Sequence, residues 1–303
     1  MPDNTADIIQ AAWRQRLAVP AFNIPYLPMM APVIRAVRDQ DSFALIAVAR
    51  LEWVKFEAQS LAAVRDEFQK WRDDKHVRLH LDHVPVIDED RQRVDYAAII
   101  REAIALGYQS VMVDGSRLDL EENIRATAEI VKLSRATGIP CEAELGAVLG
   151  HEAGPMPPYE ELFRSGRGFT RPDEAREFVR ATGCAWLSVA IGNIHGAISE
   201  ATRHRRKIAA RLNLEHLERL QRATGIPLVL HGGSGVRRED VLAAMQQGIA
   251  KINIATEIRQ AYETMLKTSG QVSAAQEAVY ARATELIRDY FGLAGLRRRL
   301  AVE

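Results

Sequence analysis

The sequence predicts an α/β chain folded as one (β/α)8 barrel, the TIM-barrel architecture, and three observations lead there. Eight short apolar runs alternate with eight longer amphipathic segments across 303 residues. No stretch rich in proline, glycine or serine interrupts the alternation as a linker would. The polar residues able to do chemistry cluster where the apolar runs end, and in such barrels function gathers at the C-terminal ends of the strands. A doubly wound parallel sheet shares the alternation and is the alternative. The lack of a G-x-G-x-x-G after the first run weakens its dinucleotide-binding form.

The runs read as strands are Ala18–Asn23, Ala44–Ala49, Val77–Leu81, Ser110–Val113, Cys141–Leu145, Ala185–Ile191, Pro227–Leu230 and Ile249–Ile254. Each is short and bounded by turn signals, as buried strands are. Four helices are expected in the first half: Met29–Asp39, Phe56–Trp71, Tyr96–Leu106 and Leu120–Ala136. Four more follow at Pro172–Ala181, Leu214–Ala223, Arg238–Gln247 and Glu257–Lys267. Thr137-Gly138-Ile139-Pro140 and Thr224-Gly225-Ile226-Pro227 punctuate helix ends, since glycine closes a helix and proline cannot continue one. Val272 to Glu303 reads as a C-terminal helical extension, with Arg297-Arg298-Arg299 as a solvated helix end. One domain over 1–303 is expected, its barrel core at about 18–268 and its extension at about 272–303.

Composition narrows the function classes. The chain is 47% hydrophobic and 26% charged with zero formal net charge, so it offers no electrostatic footprint for nucleic acid or a membrane surface. No apolar stretch approaches the ~20 residues of a membrane helix. No basic start followed by an apolar run marks a secretory signal, and a cytoplasmic location is expected. Cys141 and Cys184, the only cysteines, each open an apolar run and read as buried free thiols.

The densest chemistry lies between Pro227 and Thr256, which reads as strand, glycine-rich turn, helix, strand. Gly232, Gly233, Ser234 and Gly235 directly follow His231 at a strand end. Glycines take positive φ and turn N–H groups inward, which makes a nest for a phosphate, and the next helix N-terminus favours the same anion. Asn253 and Thr256 close the following strand with further donors. Two more histidines end strands, His83 in His80-Leu81-Asp82-His83 and His195 in Gly192-Asn193-Ile194-His195-Gly196. One such histidine is more often a packed core residue. Three at equivalent strand ends describe a catalytic zinc site with an open fourth position. Alternation points His80, with Asp82, away from His83, so His80 is read as a packed barrel histidine.

Acids accompany the histidines. Asp82 could orient a ligand or move a proton. Asp114-Gly115-Ser116 closes the fourth strand. Glu142 and Glu144 face one side of the fifth strand and, if buried, need a partner such as a ligand histidine; Glu144 is assigned behind the ligands. Glu152 lies in the long loop from Leu149 to Phe169, which reads as a lid without a helix of its own.

Taken together these segments resemble a known family. They are Ala21-Phe22-Asn23, His80 to His83, Ser110 to Ser116 with Glu121-Glu122-Asn123, Glu142 to Gly146, Val189 to Gly196, Leu230 to Gly235 and Lys251 to Glu257. The set is similar to the class II, zinc-dependent ketose-bisphosphate aldolases, which include fructose- and tagatose-bisphosphate aldolases. It runs in family order from about Ala18 to Thr256. The resemblance implies a (β/α)8 barrel, one catalytic Zn2+ per subunit and a reversible retro-aldol reaction of a ketose phosphate. Dihydroxyacetone phosphate would be the enediolate half. By motif position His83, His195 and His231 would be the metal ligands. Asp82 would handle the proton of the hydroxyl whose carbon–carbon bond breaks, and Glu152 the proton on the enediolate carbon. Asn23, Gly196, Gly232, Gly233, Ser234, Asn253 and Thr256 would hold the phosphate and dihydroxyacetone end. The family also implies a monovalent cation (Na+ or K+) and a homo-oligomer, a dimer or tetramer.

The departures point to the other end of the substrate. Ala49-Arg50-Leu51-Glu52-Trp53 stands where a small hydroxyl or amide residue and a flexible glycine are usual. Arg50, and the arginines at 203, 205 and 206, lie on the presumed active face. Arg50 is the candidate for reading an anionic distal group, through the bidentate geometry arginine favours. Three rival functions remain open. One is a different three-histidine metal enzyme, an epimerase or hydrolase acting on a sugar phosphate. Another is a non-catalytic sugar-phosphate binder. The third, a Schiff-base aldolase, needs an activated lysine at a strand end, and Lys251 lies near its strand's start.

Overall fold

In a computed structural model, which describes residues 4–146, 158–194 and 210–301, eight parallel strands close into a barrel in chain order. They are β1 (Val19–Asn23), β2 (Ala44–Ala49), β3 (Val77–Pro85), β4 (Ser110–Asp114), β5 (Cys141–Leu145), β6 (Trp186–Val189), β7 (Leu228–Leu230) and β8 (Ile249–Ile254). β8 pairs back onto β1, with Ala21 opposite Asn253, so no edge remains. Every residue of β1, β2, β5, β6, β7 and β8 is buried, which is why these strands are mostly apolar on both faces.

β3 outruns its apolar segment by four residues, Asp82 to Pro85, because pairing with β4 continues past an irregularity between Leu81 and Val84. The expected helix Phe56–Trp71 starts only at Leu61, and a separate short helix, Arg50–Lys55, precedes it. Gln59 takes φ +66° and Ser60 caps the second helix by accepting from the Ala63 N–H, so the first cannot run through. Two further helices were not expected. Thr5–Arg14, capped by Asn4, buries Ile8, Ile9 and Ala12 and meets the strand-start side, where Thr5 Oγ1 donates to the carbonyl of Gln109 just before β4. Tyr159–Ser165 occupies the second half of the segment read as a helix-free lid.

The C-terminal segment is helical, as Val272–Glu285 followed by a wide turn at Leu286–Tyr290 and a short helix Leu296–Leu300. Its arginine run is not simply a solvated end. Arg297 Nε donates to Asp41 Oδ1 at 2.6 Å and Arg298 pairs with the same carboxylate, while Leu296 and Leu300 on either side are buried. The apolar neighbours draw the run down onto the barrel, and Asp41 supplies the counter-charge. Cys141 and Cys184 are buried and free. Among the described residues no helix is long and apolar enough to cross a membrane.

Candidate active site

The site forms where β3 stops alternating. A regular strand would send the side chains of positions 82 and 83 to opposite faces. The irregularity after Leu81, with His83 at φ +27°, instead lets both reach the same cluster, correcting the alternation reading. Left-handed backbone at a non-glycine residue is uncommon and gathers at functional sites. Ligand atoms of Asp82, His83 and His231 lie within 4.8 Å of one another.

Each of the two rings has a carboxylate behind it. His83 Nδ1 lies 3.2 Å from Asp114 Oδ2, and His231 Nε2 lies 2.7 Å from Glu142 Oε1. The remaining nitrogens, His83 Nε2 and His231 Nδ1, face each other at 2.6 Å, with the rings nearly perpendicular at 88°. A carboxylate that fixes one ring nitrogen so the other points inward is the usual support of a metal-ligating histidine. The donor set therefore fits a divalent ion. Burial pushes the His83 ring down, but Asp82, Asp114 and Glu144 outweigh it and raise its pKa. Burial and the neighbouring His83 lower that of His231. The same cluster thus shifts the two rings in opposite directions.

Asp82 is buried and held by amides from the adjacent strands β1 and β8. Asn23 Nδ2 of β1 donates to it at 2.9 Å, and Asn253 Nδ2 of β8 at 2.9 and 3.0 Å. Burial pushes its carboxyl up, yet His83, His80 and Lys251 more than offset this and hold it well below the usual carboxylate range. The amide N–H groups of Asn23 and Asn253, expected to face the substrate, are committed to Asp82. The Asn253 Oδ1 atom, buried and without a partner among the described residues, is what that residue leaves for a ligand. Ser234 Oγ is likewise buried and unpartnered. Gly232 has φ +65°, as a nest requires, whereas the Gly233 N–H donates to the Asn253 carbonyl at 3.1 Å. A Cβ on Gly233 would stand 2.5 Å from Ile252 Cγ2, so this glycine is needed for close packing of loop on strand rather than for a free N–H. Thr256 is half-buried at the start of helix Thr256–Ser269.

Other assignments shift in depth rather than in face. Glu142 is the acid hydrogen-bonded to His231; Glu144 accepts from Ser188 Oγ at 3.1 Å and stands 3.8 Å from His231 Nδ1 and 4.0 Å from His83 Nδ1. His80 is buried with Nδ1 2.8 Å from Ser110 Oγ, as a packed barrel histidine would be, but its Nε2 also lies 3.7 Å from both Asp82 and Glu142. Glu52, not expected in the site, is buried against Asp82 and Asn23 and accepts the Ala49 N–H at 2.8 Å. Burial pushes its carboxyl up to about 8, so it is largely neutral at pH 7 beside the Asp82 anion. Arg50 is partly exposed, with NH1 3.4 Å from Asp88 Oδ2. His195, Gly196, Glu152 and the arginines at 203, 205 and 206 lie outside the described residues.

Comparison with known proteins agrees with this geometry. A family model described as class-II fructose-bisphosphate aldolase matches residues 3–295. The chain is 46% identical over 169 residues to the uncharacterized protein YdjI of Escherichia coli K12, a stretch covering 56% of each. It is 32% identical over 275 residues to a fructose-bisphosphate aldolase of Streptococcus pyogenes, covering 90% of this chain and 85% of that one. Among solved structures it resembles the YdjI aldolase of E. coli K12 with a TM-score of 0.76 at 32% identity, covering 98% of this chain and 100% of the other. A putative fructose-1,6-bisphosphate aldolase from Coccidioides immitis also gives a TM-score of 0.76, at 26% identity and 98% coverage of both chains. With a family match running almost end to end, on a barrel whose strand ends bring Asp82, His83 and His231 together, the chain belongs to the class II fructose-bisphosphate aldolase family.

Proposed function

We propose that this metal-dependent aldolase uses Zn2+ to cleave, and in reverse to build, a ketose phosphate whose enediolate half is dihydroxyacetone phosphate. The observation that carries the reading is the convergence of Asp82 with His83 and His231, each ring backed by a carboxylate. His83, His231 and, by motif, His195 would hold the ion, which when bound supplies a Lewis acid for the oxygen that gains charge as the bond breaks. Asp82 takes the hydroxyl proton: it is an anion, buried, and steadied by two amides that leave it little freedom to turn away. Glu152 serves the carbon left behind. Ser234, Asn253, Thr256 and the turn at Gly232 bind the phosphate and the dihydroxyacetone end, with Gly196 completing the set. The same reading carries a monovalent cation, a dimeric or tetrameric assembly and a cytoplasmic setting from the family resemblance.

The distal end of the substrate is read by Arg50. Its guanidinium offers five donors and spends one on a 3.4 Å contact with Asp88 Oδ2. Asp88 Oδ1 is already engaged by the N–H groups of Asp90 and Gln92. Arg50→Ala should lower kcat/KM for ketose 1-phosphates with an anionic far end by on the order of 10–100-fold, the worth of a charge-assisted hydrogen bond of ~1.5–3 kcal/mol. Neutral far ends should be little affected. A screen of metal-replete enzyme over ketose phosphates, scoring dihydroxyacetone phosphate, tests both statements at once. Equal losses on neutral and anionic ends would remove Arg50 from the role, and no dihydroxyacetone phosphate from any ketose phosphate would remove the reaction.

A further inference from the structure

Beneath the metal centre lies a charge that the mechanism above leaves unused. Lys251, the third residue of β8, is completely buried in a strand with no exposed residue. Its Nζ stands 2.7 Å from Glu142 Oε2 and 3.8 Å from Asp82 Oδ1. Glu142 in turn bonds His231 Nε2 through its other oxygen, and Trp186 Nε1 donates to Oε2 at 2.5 Å. The carboxylates of Asp82 and Glu142 have oxygens within 4.8 Å of each other and of His80 Nε2. An ammonium with no water around it is costly, and it persists only where geometry and pairing are very good.

We propose that Lys251 is a positioning residue, a resident cation that holds Glu142 behind His231 and Asp82 beside the reacting hydroxyl. Two carboxylates this close, in a dry barrel, repel each other unless a positive charge stands against both. Lys251 is that charge. It draws Glu142 to the depth at which its free oxygen meets His231 Nε2, which leaves His231 Nδ1 directed at the metal position. It also steadies Asp82 from below, while Asn23 and Asn253 steady it from the sides. The arrangement explains why a lysine is completely buried within this strand. The inference rests on His231 being a metal ligand.

The test measures zinc affinity of the full-length protein by competition with a chromophoric chelator, alongside steady-state kinetics. Lys251→Met should weaken zinc binding by roughly 10–100-fold, the usual cost of losing a group that orients a ligand. It should lower kcat with little change in KM, because Lys251 touches no substrate. If Lys251→Met fails to fold, Lys251→Met/Glu142→Gln removes both charges at nearly constant volume. Neutral replacements for a buried ion pair are commonly tolerated, so the double variant should fold and still bind zinc ~10–100-fold more weakly. Wild-type zinc affinity and kcat in a folded variant of either kind would overturn the proposal. A wild-type protein that binds no zinc would overturn the metal-centre reading itself, a result distinct from unchanged affinity in the variants.

Discussion

Asp82→Asn should lower kcat by on the order of 10²–10⁴-fold, the contribution typical of a positioned acid–base group. Zinc should remain bound at wild-type stoichiometry. The substitution keeps size and shape but removes the only property the step needs, a lone pair able to accept a proton. It also sets an amide NH2 against the NH2 groups of Asn23 and Asn253, which now donate to the carboxylate. Some of the loss will therefore be misorientation, and Asp82→Ala separates the two because it removes the clash and the base together. Both variants should be slow, and apo Asp82→Ala, which strands the Asn23 and Asn253 donors, should also unfold at a lower temperature. Activity within tenfold of wild type in Asp82→Ala would assign the proton transfer to another group.

His231→Ala should be the more damaging change, because it removes a ligand and strands the carboxylate behind it. His231 is fully buried, and its Nε2 is one of the partners that satisfy Glu142. Zinc content after dialysis should fall far below one per chain and cleavage should drop to background. Stability of the apo protein should also fall by about 1–3 kcal/mol for the unsatisfied buried acceptor, before any cavity term. His231→Gln, whose amide can still donate to Glu142, should recover part of that stability without recovering zinc. Metal content and unfolding of the two variants, measured side by side, check the separation; retention of a full zinc equivalent by His231→Ala would deny it the role of ligand.

The architecture could be read from the sequence because parallel strands buried on both faces leave an unmistakable mark. β2, β5 and β8 begin and end where the apolar runs do. The place of His231 was readable for the same reason, since it directly follows the apolar run that forms β7. What the sequence hid depends on departures from periodicity or on depth. Alternation sends Asp82 away from His83, and only the local irregularity of β3 brings them together. Alternation also places Glu142 and Glu144 on one face without saying which is hydrogen-bonded to His231. Lys251 was set aside because its backbone lies near the strand start, yet a four-carbon side chain carries its charge to the underside of the site. A lysine within a strand that is otherwise mostly apolar was the signal that a buried pair existed. Arg297 escaped for a similar reason: charge runs at chain ends are usually solvated, and the partner that makes this one different, Asp41, is far away in sequence.

The most direct test of the metal centre is a titration of turnover against bound zinc. Protein stripped by chelation should release no dihydroxyacetone phosphate from any ketose phosphate, and activity should return linearly until one Zn2+ is bound per chain. Full turnover in the stripped protein, accompanied by borohydride-dependent labelling of a lysine, would contradict the account.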